Sequence, residues 1–101
     1  MTTPYYGQPV NIGEYQNFTA TTIGTLIKTG EGVLFSLIFN KPVAAGVITL
    51  YDGLTTGGTL IGTITVPASP QLSVLPLNIR FATGLFIVIA TNAQDLTVSY
   101  R

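Results

Sequence analysis

The 101-residue chain contains no cysteine and no histidine, and charged residues make up only 8% of it. Without cysteine there is no disulfide, no thiolate ligand and no thiol nucleophile, and cysteine usage leaves the redox compartment undetermined. Without histidine, nucleophilic triads lose their usual base, and zinc and most transition-metal sites lose their usual ligands. The reading therefore names no catalytic residue, no metal ligand and no cofactor, and it expects no enzyme.

The scarcity of charge is the more informative absence, since soluble domains average roughly 25% charged residues. A folded monomer of this size exposes on the order of 5,500 Å². Its charges are then spread at one per roughly 700 Å² by the same scaling, a surface poorly defended against association. Lys28, Lys41, Arg80 and Arg101 balance Glu14, Glu31, Asp52 and Asp95 to a formal net charge of zero. No basic patch is indicated for nucleic acid or for an anionic membrane. No run of about 18 apolar residues occurs, and Met1-Thr2-Thr3-Pro4 lacks the charged and apolar regions of a secretory signal. The expectation is a protein made in the cytoplasm, neither exported nor membrane-spanning.

What is present reads as strands. From Val47 to Val66 (VITLYDGLTTGGTLIGTITV), two β-branched runs flank Asp52-Gly53 and Gly57-Gly58, residues that permit a reversal. In the second run Leu60, Ile64 and Val66 alternate with Thr59, Thr63 and Thr65, which places the first three on a buried face. Gly62 falls on that face and suggests a bulge or a close neighbour.

Around this hairpin, Thr19 to Lys28 is a threonine-rich strand bent at Gly24. Val33 to Asn40 is apolar on both sides, with Val33, Phe35, Leu37 and Phe39 on one and Leu34 and Ile38 on the other. Leu75, Leu77, Ile79 and Phe81 alternate with Pro76, Asn78, Arg80 and Ala82, a half-buried strand with Pro76 near its start or on an edge. Leu85 to Ala90 is a second strand without a polar face. Leu96, Val98 and Tyr100 point inward from the last one. Strands recurring about every 8 to 12 residues with turns between them imply an all-β fold, an antiparallel β-sandwich or jelly-roll-like barrel.

Residues 1–16 read as an extended N-terminal arm punctuated by Pro4, Gly7, Pro9 and Gly13, and residues 17–101 as one sandwich domain. The arm carries Tyr5, Tyr6, Val10, Ile12 and Tyr15, more apolar bulk than a disordered tail usually holds. It lies over a neighbouring subunit or another protein, or it packs on its own domain as a cap or edge strand. The expected interface residues are these five with Phe35, Phe39 and Phe86 of the doubly apolar strands.

Other motifs carry little. Gly53 to Thr59 superficially matches a phosphate loop but lacks the lysine and leads into a strand. The four acids are scattered singly, so neither a glycosidase pair nor a calcium site is supported. Asp52 reads as a turn former and Asp95 as a residue opening a strand. Asn17-Phe18-Thr19 fits the glycosylation triplet, a pattern frequent by chance. Tyr5, Tyr6, Tyr15 and Tyr51 could instead form a sugar-stacking or peptide-binding surface.

The stretches Gly32-Val33-Leu34, Ile48 to Gly53, Gly58 to Ile64, Phe81 to Leu85 and Asp95 to Arg101 together resemble a family of small structural proteins of tailed bacteriophages, over roughly Thr22 to Arg101. The resemblance implies a viral protein of the virion, a capsid decoration or cement protein on the capsid exterior. It would clamp neighbouring subunits of the major capsid protein, or contact another virion protein, as a homotrimer. It implies no catalytic residues. The competing expectation is a head or tail fibre domain that binds a host glycan.

Overall fold

The computed structural model describes residues 13–69, 71 and 73–101. The expected arm contacts of Tyr5, Tyr6, Val10 and Ile12 lie outside the described residues. Eight strands follow one another: β1 (Glu14–Phe18), β2 (Thr22–Thr29), β3 (Gly32–Lys41), β4 (Val47–Asp52), β5 (Thr59–Thr65), β6 (Ser73–Phe81), β7 (Gly84–Ala90) and β8 (Asp95–Tyr100). They form two antiparallel four-stranded sheets, β1-β8-β3-β6 and β2-β7-β4-β5. Within the sheets β1 pairs β8, β2 pairs β7, β3 pairs β6 and β4 pairs β5, the order of one long hairpin rolled up on itself. That is the double Greek-key jelly roll, and it resolves the sequence reading in favour of a sandwich with jelly-roll connectivity.

The core lies between the sheets because alternate residues of each strand turn inward. Leu34, Leu37 and Phe39 of β3, with Leu96 and Val98 of β8, meet Ile48 and Leu50 of β4 and Leu85, Ile87 and Ile89 of β7, and all are buried. Each such side chain contributes about 1.5–3 kcal/mol by leaving water. Leu75 and Leu77 of β6 pack partly buried against the same cluster, and of the two places expected for Pro76 the structure shows the edge strand.

Strict alternation fails at bulges. In β3 the register slips between Leu34 and Ser36, and the parity changes there. Leu34, Leu37 and Phe39 therefore face inward together, in place of the expected grouping of Val33, Phe35, Leu37 and Phe39. In β5 the partners of Leu50 and Tyr51 are Gly62 and Leu60, so Ile61 is the extra residue. Ile61 and Ile64 pack against the core, while Leu60, expected inside, is turned out and 56% exposed. The bulge signalled by Gly62 is thus real, but a Cβ built on Gly62 would meet nothing within 4 Å, so no close neighbour requires the glycine. At the N-terminal end, Glu14, Tyr15 and Gln16 of the expected arm open an edge strand, paired with Tyr100, Ser99 and Val98.

Candidate functional site

The outer face of the β2-β7-β4-β5 sheet carries the feature that stands apart from ordinary packing. Register places Leu26 opposite Phe86, Phe86 opposite Tyr51, and Tyr51 opposite Leu60, so one row crosses all four strands. Leu26 and Leu60 are exposed at the two ends, and Phe86 and Tyr51 are half-buried between them. The two rings lie 6.4 Å apart between centroids at an interplanar angle of 60°, a tilted aromatic pair. Below this row the sheet presents Val88, Thr49 and Thr63, then Ala90, Val47 and Thr65, with no ionisable side chain in either.

Phe86 is held by a local device in β2. A Cβ at Gly24 would overlap the Phe86 ring, so only glycine lets the ring lie over that strand. Thr22 Oγ1 accepts the Gly24 N–H at 3.1 Å and shares a 2.8 Å hydrogen bond with Thr25 Oγ1, which fixes the irregularity of β2 at that point. The bend expected at Gly24 is therefore the seat of the ring.

Charge is kept away from this face. Glu14 opens β1, Lys28 nearly closes β2, Glu31 sits in the β2–β3 turn, Asp52 closes β4, Arg80 nearly closes β6, and Arg101 follows β8, all at one end of the sandwich. Lys41 and Asp95, register partners at the end of β3 and the start of β8, occupy the other. Lys28, Glu31, Arg80 and Arg101 line one cleft of about 310 Å³ at the charged end. The sheet faces and edges between the two ends carry no charge, so the molecule has polar ends and an uncharged girdle.

The ends are built by polar side chains at strand ends and in turns. Asp52 does not turn its own chain. Its carboxylate accepts N–H groups of Ala82 (2.9 Å), Thr83 (2.8 Å) and Gly84 (3.4 Å) in the β6–β7 turn. Those bonds lower its pKa, led by those from Ala82 and Thr83, against a smaller opposing effect of burial. At the opposite end the buried Gln94 side chain accepts the Val43 N–H at 2.7 Å and donates to Val43 O (2.9 Å) and Asn92 O (3.2 Å). Asn92 Nδ2 donates to Ala44 O at 2.8 Å, so the β3–β4 loop is fastened to the β7–β8 turn by amides.

On the other sheet, Asn17 Nδ2 donates to Asp95 Oδ1 (2.9 Å) and Thr97 Oγ1 (3.0 Å), and Asn40 Nδ2 donates to the same two atoms at 3.3 and 3.0 Å. The amide of the glycosylation triplet is thus engaged within a strand. Tyr15, two residues before Asn17 in β1, is 75% exposed.

Of the described residues named from sequence as interface, Phe86 lies in the outer row, Tyr15 stands alone on the opposite sheet, and Phe35 is half-buried over Gly13. Phe39 is a core residue at 6% exposure, turned inward on the same side as Leu34 and Leu37, and what it exposes lines the groove between β5 and β6. Leu26 and Leu60 are not among the interface residues singled out from sequence, and Tyr51 is named only with the tyrosines of a sugar-stacking or peptide-binding surface, because the row depends on pairings between strands far apart in sequence. Among the described residues no three carboxylates gather at one point. No protein-family model, curated protein or solved structure matches the chain.

Proposed function

We propose that this chain is a non-enzymatic assembly protein, a virion component of the decoration or cement kind, that docks on neighbouring shell subunits through the outer face of the β2-β7-β4-β5 sheet. The observation that carries the reading is the uncharged apolar row Leu26–Phe86–Tyr51–Leu60, exposed at both ends and crossing a whole sheet. A face of this kind gains free energy by leaving water at about 25 cal/mol/Å², less the cost of immobilising the partners. Depletion of charge at the centre with aromatics enriched there is the composition of interface cores. The jelly roll is used by viral capsid domains and by lectins, an analogy of fold that fits this reading without deciding it. Self-association and a place on the capsid exterior belong to the same proposal.

The test is co-sedimentation with shells of the parent virion stripped of this protein. Wild type pellets with the shells and raises their heat tolerance, whereas Leu26→Asp and Thr49→Asp, each placing a charge on the outer face, stay in the supernatant. Equal binding by all three would remove the outer face from the account.

A second reading, a fibre domain that grips a host glycan, is favoured by exposed Tyr15 beside the Asn17, Asn40, Asp95 and Thr97 network, since an aromatic platform with planar amides suits a sugar ring. Saturable signal on a glycan array, abolished by Tyr15→Ala and absent from shell pellets, would transfer the function to that sheet.

A further inference from the structure

Among the described residues the two sheets have four edge strands, β1 and β6 in one and β2 and β5 in the other. An edge strand presents unpaired N–H and C=O groups that accept another strand, and proteins blunt such edges with charge, proline, bulges or brevity. Three of the four are blunted here. β1 is five residues long and opens with Glu14. β2 carries Lys28 and two register shifts. β6 carries Pro76 and Arg80, and Asn78 adopts φ 53°, which breaks the run of extended backbone. β5, Thr59-Leu60-Ile61-Gly62-Thr63-Ile64-Thr65, has no charge and no proline, and its one bulge lies near its beginning.

We propose that β5 pairs antiparallel with β5 of a second copy, joining two β2-β7-β4-β5 sheets into one eight-stranded sheet about a twofold axis normal to it. The occupant is a second copy because an antiparallel strand pair is self-complementary about such an axis, and because β5 has no charge to oppose its like across it. The same axis sets the flanking groove of each copy, beside the C-terminal half of β5, against the N-terminal half of the other copy's β5. That groove, about 370 Å³, runs between β5 and β6 and is lined by Phe39, Ile64, Val66 and Leu75 with Pro42 and Pro67.

The area is sufficient. Seven residues span about 24 Å, and two sheets about 10 Å apart with their outer side chains make an edge roughly 20 Å thick. Two copies then cover on the order of 1,000 Å² of projected surface, the floor for a specific interface. Leu60 ends the outer apolar row on β5, so pairing carries that row across the axis into the second copy. The product is a twofold dimer in place of the trimer that the family resemblance implies, and it is independent of what the outer face binds.

Light scattering on the full chain tests this. The expected mass is twice 10.7 kDa, falling to the single-chain value in Thr63→Lys, which puts like charges beside the axis. Ile23→Lys, on the β2 edge, and Leu26→Asp, on the outer face, retain the dimer. Should Thr63→Lys fail to fold, the absence of native cysteine gives a clean background for linkage. Thr63→Cys and Thr65→Cys are exposed single-cysteine variants, and at least one of them forms a disulfide-linked dimer on mild oxidation, whereas Ile23→Cys does not. A wild type that stays monomeric at all concentrations, a trimer mass, or linkage through Ile23→Cys alone would overturn the proposal. Failure of shell binding by a chain that still dimerises would count against the docking face and not against the edge.

Discussion

Single side chains fasten the two ends of this molecule, and their contributions are separable. Asp52 gathers three backbone N–H groups from a turn about thirty residues away in sequence. Its folded pKa is lowered, so its contribution is fully present above the ~3.9 of an unperturbed Asp and is lost as pH falls through the folded value. Asp52→Asn is expected to cost about 1 kcal/mol at pH 7, a charge-assisted contribution reduced by solvent exposure. Urea midpoints measured from pH 7 down to pH 2 should show wild type and variant converging at the acid end. A gap constant with pH would mean that the carboxylate charge is irrelevant.

Gln94 is the stronger case because it is buried. Gln94→Ala leaves the Val43 N–H and C=O and the Asn92 C=O without their partner, and a loss of about 2–3 kcal/mol should appear as a lower denaturation midpoint at unchanged slope. Neither role was legible in the sequence. Asp52-Gly53 and Thr91 to Gln94 both satisfy the composition of a turn, and nothing local says that a side chain there is spent on a different segment.

The strands themselves were largely legible, for a physical reason. Burial alternates with period 2 along β6, across the left-handed Asn78, and along β8, so Leu75, Leu77 and Phe81, and Leu96, Val98 and Tyr100, turn inward as expected. β3 and β5 did not, because one extra residue reverses every later side chain and leaves no mark in composition. On that account alone Leu60 lies on the face opposite to that expected, and Phe35 and Phe39, expected on one side of β3, are parted. The β2–β7 contact offers a direct test. Gly24→Ala drives a methyl into the Phe86 ring and should destabilise by about 1–3 kcal/mol. In a Phe86→Ala background the same change should cost little, since an extended glycine replaced by alanine is otherwise neutral to favourable. Additive costs in that double-mutant cycle would show that the ring does not depend on Gly24.

At the scale of the whole molecule, connectivity and charge placement act together. Every pairing except β4–β5 joins strands remote in sequence, so loop-closure entropy is lost before contacts offset it. Refolding monitored by tyrosine fluorescence should therefore run in milliseconds to seconds, not in microseconds. The long wait with uncovered apolar strands makes the uncharged girdle a hazard for a solitary chain and an advantage for one that assembles.

Composition revealed the scarcity of charge. It did not reveal that the eight charges sit at two ends, which required the register that brings Glu14, Lys28, Asp52 and Arg80 to one of them. From that segregation follows the central claim, that association proceeds through surfaces without charge. The direct measurement is shell co-sedimentation across a salt series from 50 mM to about 1 M, over which the Debye length shortens from more than 10 Å to about 3 Å. Binding that holds or strengthens with salt, and is lost in Leu26→Asp, is the result predicted. Binding that collapses as salt rises would place the contact at the charged ends and contradict the account.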